Sequence, residues 1–207
     1  MNNLQKRILT SVIILPLSIF FIFKGGYLLV FFLIFILLAG LRELLSVFKK
    51  IKSIVLLSII LILSVFCIYY LRDQAEYLLY FAIAVTVSSD IGGYIFGKIF
   101  KWKKLTKISP KKTYSGVFGS YLFSVILLFI WVELISSDFN ISLNNLLLTI
   151  IFSTIAQIGD LIISYFKRLE KIKDTGKVLP GHGGIFDRID GLMFVIISAT
   201  IYYYLSV

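Results

Sequence analysis

The chain has 207 residues, of which 59% are apolar and only 15% are charged, and its formal net charge at pH 7 is +10. A soluble domain is usually about half apolar. Here the excess lies in long runs, which is typical of membrane spans rather than of a large soluble core. The basic excess does not indicate nucleic acid as a partner, because basic clusters beside membrane spans usually fix orientation or contact anionic lipid.

Seven apolar segments are each near the ~20 residues that a spanning helix needs. In chain order they cover about residues 8–23, 27–45, 54–71, 77–97, 116–136, 143–165 and 188–206. The first resembles a signal peptide, but no small-residue cleavage site follows it, so we expect it to be retained. Backbone in hydrocarbon must satisfy its own hydrogen bonds, which predicts helices. We therefore expect an all-α integral membrane protein, with residues 1–207 forming a single domain, a polytopic bundle of about seven transmembrane helices.

Lysine and arginine are concentrated in alternate connections between these segments. We count Glu43 and four basic residues between Arg42 and Lys52 with the second connection. The fourth connection carries seven lysines and no acid in residues 98–112. The intervening connections are poor in basic residues. This asymmetry predicts that the N-terminus and the even-numbered connections lie in the cytoplasm.

Asp90 lies inside the fourth segment, where an ionisable residue is costly and indicates function. On a helix, Gly93 and Gly97 share its face, and glycines four residues apart allow a neighbouring helix to approach closely. We expect Asp90 to point into the bundle. The alternative is a structural carboxylate that pairs with a lysine.

Asp160 lies near the end of the sixth segment and shares a helical stripe with Ser164, Lys167 and Arg168. A carboxylate, a hydroxyl and two cations on one stripe suit a phosphate bound with a metal ion. An ordinary helix end, where basic residues are favoured by the dipole, would explain the two cations but not Asp160.

The sixth connection is rich in glycine, with four glycines and one proline in residues 176–184, so its backbone can approach a ligand closely. Asp174 precedes this stretch, and Asp187 and Asp190 follow it with the spacing of one helix face. His182 is the only histidine, which excludes a histidine-rich zinc site. A phosphate contact, a proton donor and a loop-structuring role all stay open for it.

Hard oxygen ligands and abundant basic residues, without a cysteine cluster, favour Mg²⁺ acting on phosphates. The sequence has neither a Walker loop nor a glycine-rich dinucleotide fingerprint. The chemistry expected is therefore of the phosphoryl type, without a soluble nucleotide-binding fold.

Two blocks of the sequence carry a more specific pattern. One comprises Ser164, Lys167-Arg168, Lys173-Asp174, Pro180-Gly181-His182-Gly183-Gly184 and Asp187-Arg188-Ile189-Asp190. The other comprises Asp90, Gly93-Tyr94, Gly97-Lys98, Lys104-Leu105, Ile108-Ser109-Pro110-Lys111-Lys112-Thr113 and Gly116. Together they cover roughly residues 85–191, and the pattern resembles the phosphatidate cytidylyltransferase family. Two features depart from that family. Ser115 stands where a glutamate is usual, and the N-terminal part is shorter than in members with eight or nine spans.

The resemblance implies attack by the phosphate of phosphatidic acid on the α-phosphorus of CTP, with pyrophosphate leaving and CDP-diacylglycerol formed. It implies Mg²⁺ on Asp160 and Asp187, as in the dinuclear centre of the family, with a second cation such as K⁺ and with Asp90 and Asp190 completing the site. Five basic residues would hold phosphate oxygens: Lys111, Lys112, Lys167, Arg168 and Arg188. Four further residues would contact substrate: Ser109, Ser164, Asp174 and His182.

The partners implied are CTP, phosphatidic acid and membrane lipid, with a possible homodimer, in a bacterial inner membrane with the site on the cytoplasmic side. The alternatives are a CTP-dependent transferase or kinase acting on another membrane lipid, or an ion-coupled transporter that uses Asp90 and Asp160 as a relay. No internal repeat of the kind common in transporters is visible.

Overall fold

A computed structural model of the chain describes residues 3–134, 140–176 and 183–206. Within these ranges the chain forms seven α-helices and no named strand. They are α1 (Asn3–Lys24), α2 (Gly26–Val47), α3 (Ile51–Gln74), α4 (Glu76–Phe100), α5 (Tyr114–Leu134), α6 (Leu143–Leu169) and α7 (Phe186–Ser206). The all-α prediction and the number of helices are confirmed.

Six of the helices, α2 to α7, are long and apolar enough to cross a membrane, as judged by length and composition. The apolar part of α1, Val12–Lys24, is shorter than these six. The protein is thus an integral membrane protein. Several helices extend past the predicted segments because polar residues at the ends continue the helical hydrogen bonding. Arg42 and Glu43, which the sequence analysis counted with the second connection although they fall within the predicted segment 27–45, lie inside α2.

The second, fourth and sixth connections lie at one end of the bundle, as the distribution of basic residues predicted. The backbone N–H groups of Lys49 and Lys50 donate to the Glu170 carboxylate, with N···O distances of 3.3 and 3.0 Å. The Arg168 side chain donates to the carbonyl of Ile108 at 3.3 Å. These contacts tie the three connections together.

Helices α4 and α5 are packed backbone to backbone. A Cβ added at Gly92 would collide with the Gly119 carbonyl oxygen, and one added at Gly93 would lie 2.7 Å from Ser120 Oγ. One added at Gly97 would lie 3.2 Å from a threonine hydroxyl of the segment before α5. The predicted close approach along the Gly93 and Gly97 face is confirmed. The tightest contact involves Gly92, which the sequence analysis did not single out.

Two groups of buried apolar side chains hold the helices together. The larger includes Phe81, Leu128 and Phe152 and joins α4, α5, α6 and α7. The smaller includes Leu44 and Phe186 and joins α2, α3, α6 and α7. Since Phe186 is the first residue of α7 and is fully buried, the smaller group anchors the start of that helix.

Candidate active site

A cavity of about 250 Å³ opens between α4, α5 and α6 beneath the segment of residues 101–113. Polar side chains and glycines line most of it. The lining residues are Ser89, Asp90, Gly93, Tyr94, Ser109, Lys111, Lys112, Thr113, Gly116, Val117, Ser120, Gln157 and Asp160. A polar cavity among membrane-spanning helices is a site hypothesis in its own right, because buried polar surface in a bilayer is costly.

Lys112 and Asp160 form an ion pair in this cavity, with an Nζ···Oδ2 distance of 2.6 Å. Lys112 also donates to the backbone carbonyl of Gln157 at 3.1 Å, and Ser164 donates to Asp160 Oδ1 at 3.3 Å. The predicted pairing of Asp160 and Ser164 on one stripe is therefore confirmed.

Lys112 is held in place by a short antiparallel pairing within the lysine-rich segment. An isolated bridge joins Lys104 and Thr113, and the Leu105 N–H donates to the Lys112 carbonyl at 2.8 Å. The backbone on either side of Lys112 is thus fixed just before α5 begins. This pairing explains how a residue from a connection reaches a carboxylate on α6.

A second group of charges surrounds Lys167, whose side chain is 9% exposed. Its Nζ lies 2.9 Å from Asp187 Oδ1 and 3.9 Å from Asp190 Oδ2. One cation thus contacts both carboxylates, which confirms that Asp187 and Asp190 share a face of α7. In the predicted stripe Lys167 pointed toward a phosphate beside Asp160; here it faces α7 instead.

Asp187 is further held by the backbone of the sixth connection. Its Oδ2 accepts hydrogen bonds from the N–H groups of Thr175, at 2.7 Å, and Gly184, at 3.1 Å. Charge-assisted bonds of this kind are stronger than neutral ones. Both oxygens of Asp187 therefore have donors, and the carboxylate has a defined orientation.

The two groups of charges form one polar region. Asp90 is exposed on the cavity wall, and both Asp90 and Asp190 lie within electrostatic range of Asp160. Arg188, in the first turn of α7, is within electrostatic range of Asp90. The prediction that Asp90 points into the bundle is confirmed.

The other predicted site residues differ in where they lie. Ser109 and Lys111 line the cavity. Arg168 does not reach Asp160, because its guanidinium donates to the carbonyls of Ile108, at 3.3 Å, and Ile172, at 2.8 Å. Asp174 is exposed just before Thr175. His182 lies outside the described residues.

Ser115, where the resemblance leads one to expect an acid, is buried at the start of α5. Its hydroxyl lies 3.0 Å from Thr113 Oγ1, which in turn accepts from the Gly116 N–H at 3.1 Å. This position therefore supports a helix start and supplies no carboxylate to the cavity.

Two site residues were missed by the sequence analysis. Gln157 lies one helical turn before Asp160, and its position as an amide inside an apolar span could have indicated it. Glu43 is only 2% exposed and accepts hydrogen bonds from the connection that leads into α7. The only sequence signal for Glu43 was a carboxylate inside the apolar run of α2, and the sequence analysis interpreted Glu43 as a loop acid.

The carboxylates suit one mode of divalent-cation binding. Among the residues that the structure describes, no three His, Cys, Asp or Glu side chains converge as a metal site made by protein alone. Mg²⁺ is usually held by one or two carboxylates together with substrate phosphates rather than by an all-protein cage. The donor set therefore fits a cation that binds with a phosphate-bearing substrate.

Comparison with known proteins places these residues in a wider context. A family model described as "Cytidylyltransferase family" matches residues 47–206. Proteins named phosphatidate cytidylyltransferase are similar to the chain. The one from Staphylococcus saprophyticus is 45% identical over 131 residues, which cover 62% of this chain and 50% of that protein. The one from Staphylococcus aureus (strain COL) is 40% identical over 130 residues, which cover 62% and 49%. The chain spans about half the length of the curated relatives it matches.

Proposed function

The chain belongs to the cytidylyltransferase family, and on that premise we propose that it transfers a cytidylyl group from CTP to phosphatidic acid. The observation that carries the proposal is the Lys112–Asp160 pair, which lies in a polar cavity among membrane-spanning helices. A water-soluble triphosphate and a membrane lipid must meet at such a place. The name of the relatives, phosphatidate cytidylyltransferase, supports the same acceptor.

In the proposed reaction, an oxygen of the lipid phosphate attacks the α-phosphorus of CTP. The bond between that phosphorus and the oxygen bridging to the β-phosphate breaks, so pyrophosphate leaves and CDP-diacylglycerol forms. Two polyanions must be brought together, and catalysis of such steps rests on positioning and on stabilising negative charge. The cations of the site meet that requirement.

Exposed and buried lysines would have different parts in binding the substrate. Lys111 is exposed and lines the cavity, which suits the first capture of a triphosphate. Lys112 pairs with Asp160 and Lys167 with Asp187, so each lies beside a carboxylate of the site before substrate arrives. Arg188 is exposed beside this group and would contact a phosphate oxygen. Ser109, Ser164, Asp174 and His182 would complete the binding of substrate.

Members of the cytidylyltransferase family are generally dependent on a divalent cation. We assign Mg²⁺ to Asp160 and Asp187, with Asp90 and Asp190 supporting the site and with K⁺ as the candidate for a second cation. When bound, the divalent cation would neutralise charge on the triphosphate. Asp187 is already oriented for this task by two backbone N–H groups, and Asp160 by Ser164.

We place the site on the cytoplasmic side of a bacterial inner membrane, where CTP is available. The lysine-rich segment of residues 101–113 and the connection into α7 both contribute to the site and both follow the cytoplasmic pattern of basic residues. A homodimer is expected from the family resemblance alone.

The test is CTP turnover by the purified protein in phosphatidic-acid micelles, first with Mg²⁺ and then with excess EDTA. We expect CDP-diacylglycerol and pyrophosphate in equal amounts with Mg²⁺, and neither with EDTA. Absence of product with folded protein would refute the proposal for phosphatidic acid. A panel of other phosphorylated and hydroxylated membrane lipids would then identify a different acceptor.

A further inference from the structure

Glu43 is a carboxylate buried near the C-terminal end of α2, with 2% of its surface exposed. It lies outside residues 47–206, which match the family model. A carboxylate this deeply buried is costly unless donors surround it. Its partners therefore indicate why the chain keeps it there.

Within the described residues, every hydrogen-bond donor found for the Glu43 carboxylate comes from the connection between α6 and α7 or from the first residue of α7. The Ile185 N–H donates to Oε1 at 2.8 Å, and the Phe186 N–H donates to Oε2 at 3.0 Å. The Thr175 hydroxyl donates to Oε2 at 3.4 Å. Glu43 thus joins the described residues before position 177 to those after position 182.

The same two stretches are joined by Asp187, which accepts from the N–H groups of Thr175 and Gly184. Four backbone N–H groups, those of residues 175, 184, 185 and 186, therefore donate to two carboxylates. Thr175 contacts both, through its N–H to Asp187 and its hydroxyl to Glu43. The position of Asp187 is consequently coupled to that of Glu43 through Thr175, which contacts both carboxylates, and through the continuous backbone of residues 184–186.

Two glycines allow the backbone of the connection to lie directly against the Glu43 carboxylate. A Cβ added at Gly184 would collide with Glu43 Oε2, and one added at Gly176 would lie 2.9 Å from Glu43 Oε1. The connection is therefore packed directly against the carboxylate, with no room for an intervening side chain at either position. The two N–H groups that donate to Glu43 belong to the first residue of α7 and to the residue directly before it. N–H groups at a helix start lack partners within the helix.

We propose that Glu43 is a positioning residue for the reaction: it sets the start of α7 and, through that backbone, the orientation of Asp187. The inference rests on the proposed function, since it assigns Glu43 a part in that same site. Among the residues described, Glu43 is not part of the cavity lining, and the ion pairs of Lys167 are with Asp187 and Asp190. The effect of Glu43 therefore reaches the site through the backbone that binds both Glu43 and Asp187.

The test uses Glu43→Gln in the whole 207-residue chain, with Glu170→Gln as a matched control. Glutamine keeps the volume of Glu43 but turns one acceptor oxygen into an amide that faces an N–H group. Glu170 is also a carboxylate that accepts two backbone N–H groups, those of Lys49 and Lys50, but none from the connection into α7. Any general effect of losing such a carboxylate would therefore appear in both variants.

The first measurement is hydrogen–deuterium exchange over residues 183–187 in detergent or nanodiscs, which requires no enzymatic activity. We expect exchange in Glu43→Gln to be about tenfold faster or more, since hydrogen bonds to a charged acceptor are being lost, and to be unchanged in Glu170→Gln. Equal exchange in Glu43→Gln and the unaltered chain would overturn the inference, whether or not the protein turns over CTP.

The second measurement is the Mg²⁺ concentration that gives half-maximal turnover. We expect it to rise at least fivefold in Glu43→Gln, with a lower kcat and little change in KM for CTP, because Asp187 is misoriented. An unchanged Mg²⁺ requirement and kcat, with faster exchange, would reduce Glu43 to a support of the fold and refute the positioning role. An inactive unaltered chain would refute the proposed function instead, and the exchange measurement would still decide the inference.

Discussion

Two lysine–aspartate pairs occupy the candidate site, and they differ in what surrounds them. In the Lys112–Asp160 pair the side chains are 24% and 32% exposed and face the cavity. In the Lys167–Asp187 pair they are 9% and 6% exposed, and Asp187 also accepts two backbone N–H groups. The first pair can exchange its partners for those of a substrate. The second is fixed by its surroundings before any substrate binds.

This difference shows that two ion pairs of the same chemistry can contribute differently to stability and to turnover, depending on how deeply they are buried. A buried pair is strongly destabilising to break, since one charge is left without a partner. Breaking a partly exposed pair costs less free energy, because water screens the two charges. Such a pair can therefore respond to the charge of a substrate. We therefore expect loss of the buried pair to affect both stability and turnover, and loss of the cavity pair to affect turnover alone.

The largest effect is expected for Asp187→Asn. Turnover should fall to background, and stability should fall by about 3–5 kcal/mol because Lys167 is left buried without its nearest counter-charge. Thermal unfolding can be followed by a thiol-reactive dye, since Cys67 is the only cysteine and is buried. A variant as stable as the unaltered chain would contradict the structural role given to this pair.

Asp160→Asn should lower kcat/KM by about 100-fold or more, with stability changed by no more than about 1 kcal/mol. The two measurements are CTP turnover and the same thermal unfolding. A large loss of stability in this variant would remove the distinction between the pairs. Retained turnover in both Asp160→Ala and Asp187→Ala would refute the assignment of the cation to these carboxylates.

Gly92→Ala tests the wall on which the cavity pair depends. The added Cβ would meet the Gly119 carbonyl, so α4 and α5 must separate, at a cost of about 1–3 kcal/mol. Gly97→Ala is the matched control, because its nearest neighbour would be a threonine hydroxyl at 3.2 Å. Thermal unfolding of both variants should show the larger loss for Gly92→Ala, and equal values would argue against backbone contact at Gly92.

The smallest effect is expected for Lys111→Ala. Lys111 is exposed at the cavity and no ion pair holds it among the residues described. Its removal should raise KM for CTP several-fold with kcat unchanged, since it contributes binding that is equal in the ground and transition states. The shift should shrink as salt is added. A lower kcat at saturating CTP would place Lys111 nearer the reacting atoms than we propose.

Much of the fold followed from patterns that are local in the sequence. Apolar runs of spanning length predicted the helices, because a bilayer allows little else for a continuous apolar backbone. Which residues share one face of a helix was also predictable. Asp160 with Ser164, and Asp187 with Asp190, follow from the helical repeat alone.

The interpretation of Arg168 shows where the local argument fails. Its spacing from Asp160 suggested a shared site, but its guanidinium turns to the carbonyls of Ile108 and Ile172. A long side chain at a helix end can reach several acceptors. The choice among them depends on where another connection passes, which no spacing within α6 specifies.

The sequence by itself determined that this protein is a helical membrane protein with charges concentrated at one side, and it marked the acids and lysines of the site. Only the tertiary structure decided which of them are partners. Lys112 meets Asp160 from another connection, and Glu43 binds the backbone of Ile185, 142 residues away. Such pairings depend on how each helix is rotated about its axis and which neighbour it packs against. Neither is encoded in a local repeat, and so Glu43 was interpreted as a loop acid until the helices were assembled.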